Sequence, residues 1–203
     1  VLPADRSGRW PANGDFEQGL EGWRKWFRKG GANSMRTVHV VHGPENDSQV
    51  IEFRRSGAGA GGSRIGVVQD VYIDLLQHDA LYLELDVKAA YHSLDGGGWV
   101  GAGEYPVCIE LVFFDRDGKP HRWRHGFYYR GTDRYTTSTK ISENEWFTYT
   151  SPNLREMRPF LADPEIVRGI ENRHRVTVPP HAPAPEPAVI TRVFLSGGGW
   201  DFI

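Results

Sequence analysis

Leu81-Tyr82-Leu83-Glu84-Leu85-Asp86-Val87-Lys88 is the stretch that decides the fold. Apolar residues at 81, 83, 85 and 87 alternate with Tyr82, Glu84, Asp86 and Lys88. A period of two belongs to a strand with one face in a core and the other in water. Upstream, residues 65–73 alternate as Ile65, Val67, then Val71, Ile73, with polar Gln69 in phase. Val38, Val40 and the run 49–53 read as two short strands flanking the turn formers Gly43-Pro44-Glu45-Asn46-Asp47. Downstream, the aromatic-rich runs 107–114 and 122–129 flank Asp115-Arg116-Asp117-Gly118-Lys119-Pro120, a hairpin signature. Residues 146–150 and 189–195 are two further strands. One helical candidate, 153–170, is broken by Pro159 and Pro164. Pro179, Pro180, Pro183, Pro185 and Pro187 mark an extended surface connection. The pattern predicts an all-β, antiparallel jelly-roll β-sandwich of about eight strands. Leu81, Leu83, Leu85 and Val87 are expected on the core face, with Trp23 and Trp146 mostly buried.

Composition agrees. Glycine (24) and proline (13) are frequent among the 203 residues, and aromatics reach 12%, as in a β protein rich in turns. With 39% hydrophobic residues the chain can bury a real core. Lys and Arg number 24 against 26 Asp and Glu, a net charge of -2, which disfavours a strong nucleic-acid or anionic-membrane binder. No apolar run approaches the ~18–20 residues of a membrane span. Residues 1–12 read as a leader and 13–203 as a single β-sandwich domain with long insertions at 91–106 and 153–188. The chain opens on Val1 rather than Met, which reads as a processed product or an excised piece. A single cysteine, Cys108, excludes an intrachain disulfide and reads as a small strand residue.

Several motifs reduce to local structure. Gly57-Ala58-Gly59-Ala60-Gly61-Gly62 has the spacing of a dinucleotide loop, but the residues after it are strand-like, where that site needs a helix. His39/His42 and His121/His125 are the close pairs among eight histidines; four residues along a strand is about 13 Å, too far for a shared metal. Asp115-x-Asp117-Gly118 begins like a calcium loop but lacks its closing Glu, and suits a hairpin tip. Asn46-Asp47-Ser48 fits a glycosylation sequon, meaningful only in a eukaryotic secretory setting.

Candidate binding residues lie in two places. Residues 91–105 form a glycine-rich loop with Tyr91, Trp99 and Tyr105, rings that are expected to be exposed and to stack on sugars or on a partner; the alternative is that Trp99 folds back to cap the sandwich. In the hairpin, Trp123, His125, Phe127 and Tyr129 share one face and Arg122, Arg124 and Tyr128 the other. One is core. The other is a polar-aromatic surface of the kind that binds carbohydrate, or a solvated outer sheet. Trp123 and Tyr128 join the candidate ligand-binding set.

Asn13-Gly14-Asp15-Phe16-Glu17, followed by Gly19 and Gly22-Trp23, resembles the opening of carbohydrate-binding modules with the galactose-binding-like jelly-roll fold. Residues 68–73 leading into 81–88, Glu143-Asn144-Glu145-Trp146-Phe147, and the closing stretch 192–202 resemble strands of the same modules and of uncharacterised bacterial envelope proteins. The resemblance implies a structural calcium at Glu17 and, as a weaker match, Asp201. It implies a non-catalytic, carbohydrate-binding module of a secreted or cell-surface protein, located outside the cell or in the envelope, with a glycan as partner. The alternative is a structural or assembly subunit of an extracellular or envelope complex, using the sandwich to contact other protein chains in a homo-oligomer or larger assembly. An enzyme with a carboxylate pair, for which Glu104 and Glu110 are the candidates, ranks last because no nucleophile, metal or cofactor motif accompanies them.

Overall fold

A computed structural model describes residues 10–28, 35–43, 48–57, 62–94, 105–131, 138–159 and 185–203. Ten strands run through them: β1 (Arg24–Arg28), β2 (Met35–His42), β3 (Gln49–Ser56), β4 (Ser63–Asp74), β5 (Glu84–Val87), β6 (Tyr105–Asp115), β7 (Pro120–Tyr128), β8 (Ser138–Lys140), β9 (Phe147–Thr150) and β10 (Pro187–Gly199). One layer is a six-stranded sheet in the order β1-β4-β10-β6-β7-β8, antiparallel except for the β7–β8 pair. The hairpin β2–β3 and the pair β5–β9 lie over its inner face. This is the all-β sandwich that the alternation predicts; β1 and β8 are strands the sequence pattern does not announce.

The core is the inner face of that sheet. Ile65, Val67 and Val71 of β4, Ile109, Leu111 and Phe113 of β6, Phe127 of β7 and Ile190 and Val193 of β10 meet Val38, Phe53, Val87 and Tyr149 from the other layer. Val87 is buried, and Leu81, Leu83 and Leu85 pack against the core, as expected. Trp23 is buried too, its ring 5.5 Å from that of Phe16. Trp146 departs from expectation. It is 38% exposed, because the parity of β9 sends Tyr149 inward and Trp146 outward with Thr148, and Lys88 Nζ lies 5.9 Å from its ring.

The opening motif is a hydrogen-bonded knot around Asn13. Its Nδ2 donates to the carbonyls of Gly19 and Glu21, its Oδ1 accepts from Gln18 N, and its own carbonyl accepts from Trp23 Nε1. Asn13 and Phe16 have positive φ, a region short polar residues tolerate and Phe does not favour. The fully buried Gln69 ties the knot to the sheet, exchanging two 2.9 Å bonds with the backbone of Ala12.

The β6–β7 turn is as the sequence reads. Asp115 Oδ1 accepts from Asp117 N and Lys119 N, Oδ2 meets His121 Nε2 at 2.7 Å, and Gly118 takes φ 75°. The His121 bond, followed by the backbone donors, holds the Asp115 carboxyl below its ordinary value. A carboxylate so depressed contributes stability above the ordinary aspartate range and loses it as pH falls through the folded-state value. Asp115→Ala is therefore expected to lower the melting temperature at neutral pH, with a gap from wild type that narrows on acidification; a constant gap from neutral to strongly acid pH would show that the carboxylate is not the source.

The glycine-rich segment is preceded by β3, ending at Ser56, and followed by strand β4, starting at Ser63, rather than by a helix, so the dinucleotide reading fails for the reason given. In the proposed helical stretch, the described part forms a single 3-10 turn, Leu154–Glu156, capped by Asn153.

Candidate functional site

Strand register sets out the outer face of the six-stranded sheet as rows. Arg28 stands opposite Arg64, which stands opposite Gly198, then Tyr105. The next row is Trp26, Gly66, Ser196, Cys108, Gly126. The third is Arg24, Val68, Phe194, Glu110, Arg124, and the fourth Asp70, Arg192, Val112, Arg122. Small residues in the second row leave a trough. A Cβ at Gly66 would fall 2.2 Å from the Leu195 carbonyl oxygen, and one at Gly126 2.6 Å from the Tyr105 ring.

Arg64 lies along that trough. Its Nη2 donates to Ser196 Oγ at 2.9 Å and lies 3.9 Å from Cys108 Sγ, its Nη1 is 3.4 Å from Glu110 Oε2, and its guanidinium carbon sits 5.3 Å from the Trp26 ring centroid. Trp26 in turn meets Phe194 edge-on at 5.5 Å. Glu110, 2% exposed, is the hub. Arg124 donates to Oε2 through Nε at 2.9 Å and also through Nη2, and Arg122 Nη1 donates to Oε1 at 2.6 Å. Burial alone would raise the Glu110 pKa; Arg124 and Arg64, with Arg122, outweigh it and hold the carboxyl below its ordinary value. Burial pushes the Cys108 thiol up, so it stays protonated and unreactive.

One row further out, Asp70 is shared by two exposed arginines. Arg192 Nε reaches Oδ1 and Arg24 Nη2 reaches Oδ2, both at 2.6 Å. The Arg192 bond is the main reason the Asp70 carboxyl is depressed. Beyond it Tyr72 stands 54% exposed. It borders an open cleft of about 560 Å³ lined by Leu76, Phe114, Arg116, Val189 and Thr191.

The structure separates the sequence-predicted residues. Tyr91 is exposed, and its backbone pairs with Ile203. Trp99 and Glu104 lie outside the described residues. Tyr105 and Tyr128, expected in water, are buried instead: Tyr105 lies over Gly126, and the two rings meet edge-on at 6.3 Å. Trp123 is buried because its face of β7 is the core face, where it stacks on His125. Tyr128 and Arg124 share the opposite, polar-aromatic face. Arg24, Arg64, Asp70, Arg192 and Trp26 were not singled out by sequence. The Glu110–Arg124 pair was within reach, since counting back from the Asp115 turn puts them opposite each other.

Glu110 is buried and held anionic, so it has no proton to give as a general acid. Glu17 Oε1 accepts from Gln49 N and pins the start of β3, while Asp201 pairs through its backbone with Ser93. Calcium needs 6–8 oxygen ligands. Among the described residues, no three Asp, Glu, His or Cys side chains gather to hold a metal. His121 and His125 go to separate partners, Asp115 and Thr139.

No described helix is long and apolar enough to cross a membrane. No protein-family model matches the chain, and neither does any curated protein. Among solved structures, the chain is similar to the family 11 carbohydrate-binding module of the cellulosomal cellulase Lic26A-Cel5E of Clostridium thermocellum, at 12% identity and TM-score 0.46 over 93% of this chain and 84% of that one. It is likewise similar to a family 11 module from Clostridium thermocellum in complex with a β-1,3-1,4-mixed-linked tetrasaccharide, at 13% identity and TM-score 0.47 over 93% and 85% of the two chains.

Proposed function

We propose that this chain is a non-catalytic glycan-binding module of a secreted or cell-envelope protein, and that the outer face of the six-stranded sheet is its binding surface. One observation carries the reading. The Tyr72 ring stands in water at the edge of the cleft, two residues along β4 from Asp70 and its Arg24 and Arg192 partners, and Arg192 in turn lies 6.0 Å from the Phe194 ring. Rings recover apolar area by stacking on sugar faces, and a charged cluster already held in place offers donors and an acceptor to hydroxyls without further ordering. Strands, not loops, supply these groups, so the surface is rigid.

Assembly through a sheet edge would call for unpaired backbone at the last residues described, 202–203. That backbone is paired: Phe202 exchanges hydrogen bonds with Arg55, and the Ile203 carbonyl accepts from Ala90 N and Tyr91 N.

Affinity electrophoresis against a panel of soluble polysaccharides tests the proposal. Wild type is expected to be retarded by at least one of them. Tyr72→Ala is expected to keep the wild-type melting temperature and to weaken that retardation about tenfold, the loss of roughly 1.4 kcal/mol of stacking. Wild type running free in every gel would sink the reading.

A further inference from the structure

Resting on that reading, we infer that the ligand is an acidic polysaccharide whose uronate carboxylates are taken up by a line of arginines crossing the strands. Among the described residues, the four rows carry six arginines, Arg24, Arg28, Arg64, Arg122, Arg124 and Arg192, against the two carboxylates Asp70 and Glu110. This surplus of positive charge sits on a chain whose net charge is -2, so charge is segregated to one face. Arg64 and Arg124 are buried against Glu110, so the cations this face offers to solvent are Arg24, Arg28, Arg122 and Arg192.

Spacing narrows the ligand. Arg24, Arg192 and Arg122 have side chains 65%, 46% and 62% exposed. They come from β1, β10 and β7, each two strands from the next in the sheet order. Two strand spacings are about 10 Å, close to the span of two linked pyranose rings. A chain of sugars laid across the strands would meet one guanidinium at about every second ring. Each of the three engages its aspartate or glutamate through one nitrogen, and a guanidinium has five N–H donors, so further donors remain for an incoming carboxylate. Asp70 and Glu110 hold the forks in place beforehand. A neutral glycan gains nothing from the surplus charge.

The test is isothermal titration of the whole chain with polygalacturonate, carboxyl-reduced polygalacturonate, dextran sulfate and a neutral β-glucan. Polygalacturonate is expected to bind best and to weaken at least tenfold between about 50 mM and about 500 mM salt. The reduced polymer is expected not to bind. Arg122→Ala and Arg24→Ala, each with wild-type near-UV circular dichroism, are each expected to weaken binding about fivefold to tenfold. Equal binding of the reduced polymer, or preference for the neutral glucan, overturns this inference and leaves the glycan-binding proposal standing. Preference for dextran sulfate overturns the uronate assignment. Binding to none of the four sinks the inference, while a neutral polysaccharide from the wider panel would still uphold the proposal.

Discussion

Glu110→Ala is expected to destabilise the fold by about 3–5 kcal/mol, the usual cost of stranding buried charge by removing its partner. Three guanidiniums converge on this carboxylate, and two of them, Arg64 and Arg124, are nearly as buried as it is. Without it those cations repel one another on a face that water barely reaches. Glu110→Gln should recover little, since a neutral amide offers one acceptor oxygen where the carboxylate offers two. Removing Glu110 and Arg124 together, as a Leu–Leu pair, should cost less than Glu110→Ala alone, because it strands one buried cation, Arg64, where Glu110→Ala strands two. The acid limb gives an independent check. The folded-state pKa of Glu110 lies below its ordinary value of 4.5, so its contribution is whole above that pH and disappears as pH falls through the folded-state value. Urea unfolding at neutral pH and at about pH 3 reads both effects. A Glu110→Ala cost under about 1 kcal/mol at neutral pH would mean that solvent already screens the cluster.

Alternation made the sandwich readable, but it reports only which residues share a face, not which face is covered. The hairpin shows the limit. Its sequence divides Trp123, His125, Phe127 and Tyr129 from Arg122, Arg124 and Tyr128 correctly, yet in the second set Arg124 and Tyr128 are buried as deeply as Trp123 and only Arg122 stays exposed. Tyr105 and Tyr128 were expected in water because each sits beside glycine or polar residues. The structure buries them because Gly66, Ser196, Cys108 and Gly126, from four different strands, align into a trough that only sheet order creates. Arg64 and Glu110 are 46 residues apart in the chain, and Arg24 and Asp70 are too. No local pattern joins them. β1 escapes the alternation test because Arg24-Lys25-Trp26-Phe27-Arg28 sets two aromatics side by side between charges, on an edge strand where both faces stay largely exposed. Gln69 is a polar residue in phase with the apolar positions of a core strand, and its tie to Ala12, 57 residues away, leaves no local signal.

Phe202→Ala is expected to cost about 3–5 kcal/mol, the cost of an aromatic-sized cavity in a packed core. Phe202 is fully buried, and its backbone pairs with Arg55 and bridges to His92. Arg55 is buried as well and donates through Nη1 to the carbonyls of Gly199, at 2.6 Å, and Trp200. His92 is locked beside them: its Nε2 accepts from Tyr129 N and Arg130 N, and its Nδ1–H donates to the Leu94 carbonyl. The ring has room only because residue 197 is glycine; a Cβ there would lie 2.3 Å from Phe202 Cε2 and 2.7 Å from the Pro106 carbonyl oxygen. Gly197→Ala alone is therefore expected to be destabilising. Adding it to Phe202→Ala should cost less than the sum of the two, since the new methyl enters space the ring has left. The coupling reaches the binding face, because β10 carries Arg192, Phe194 and Ser196 on its outer side. Loosening its end should slacken that face before the sheet melts. Hydrogen exchange would show this as faster exchange along 192–198 in Phe202→Ala than in a distant variant of equal stability. Strict additivity of Gly197→Ala and Phe202→Ala would mean that the ring and the glycine do not share one space.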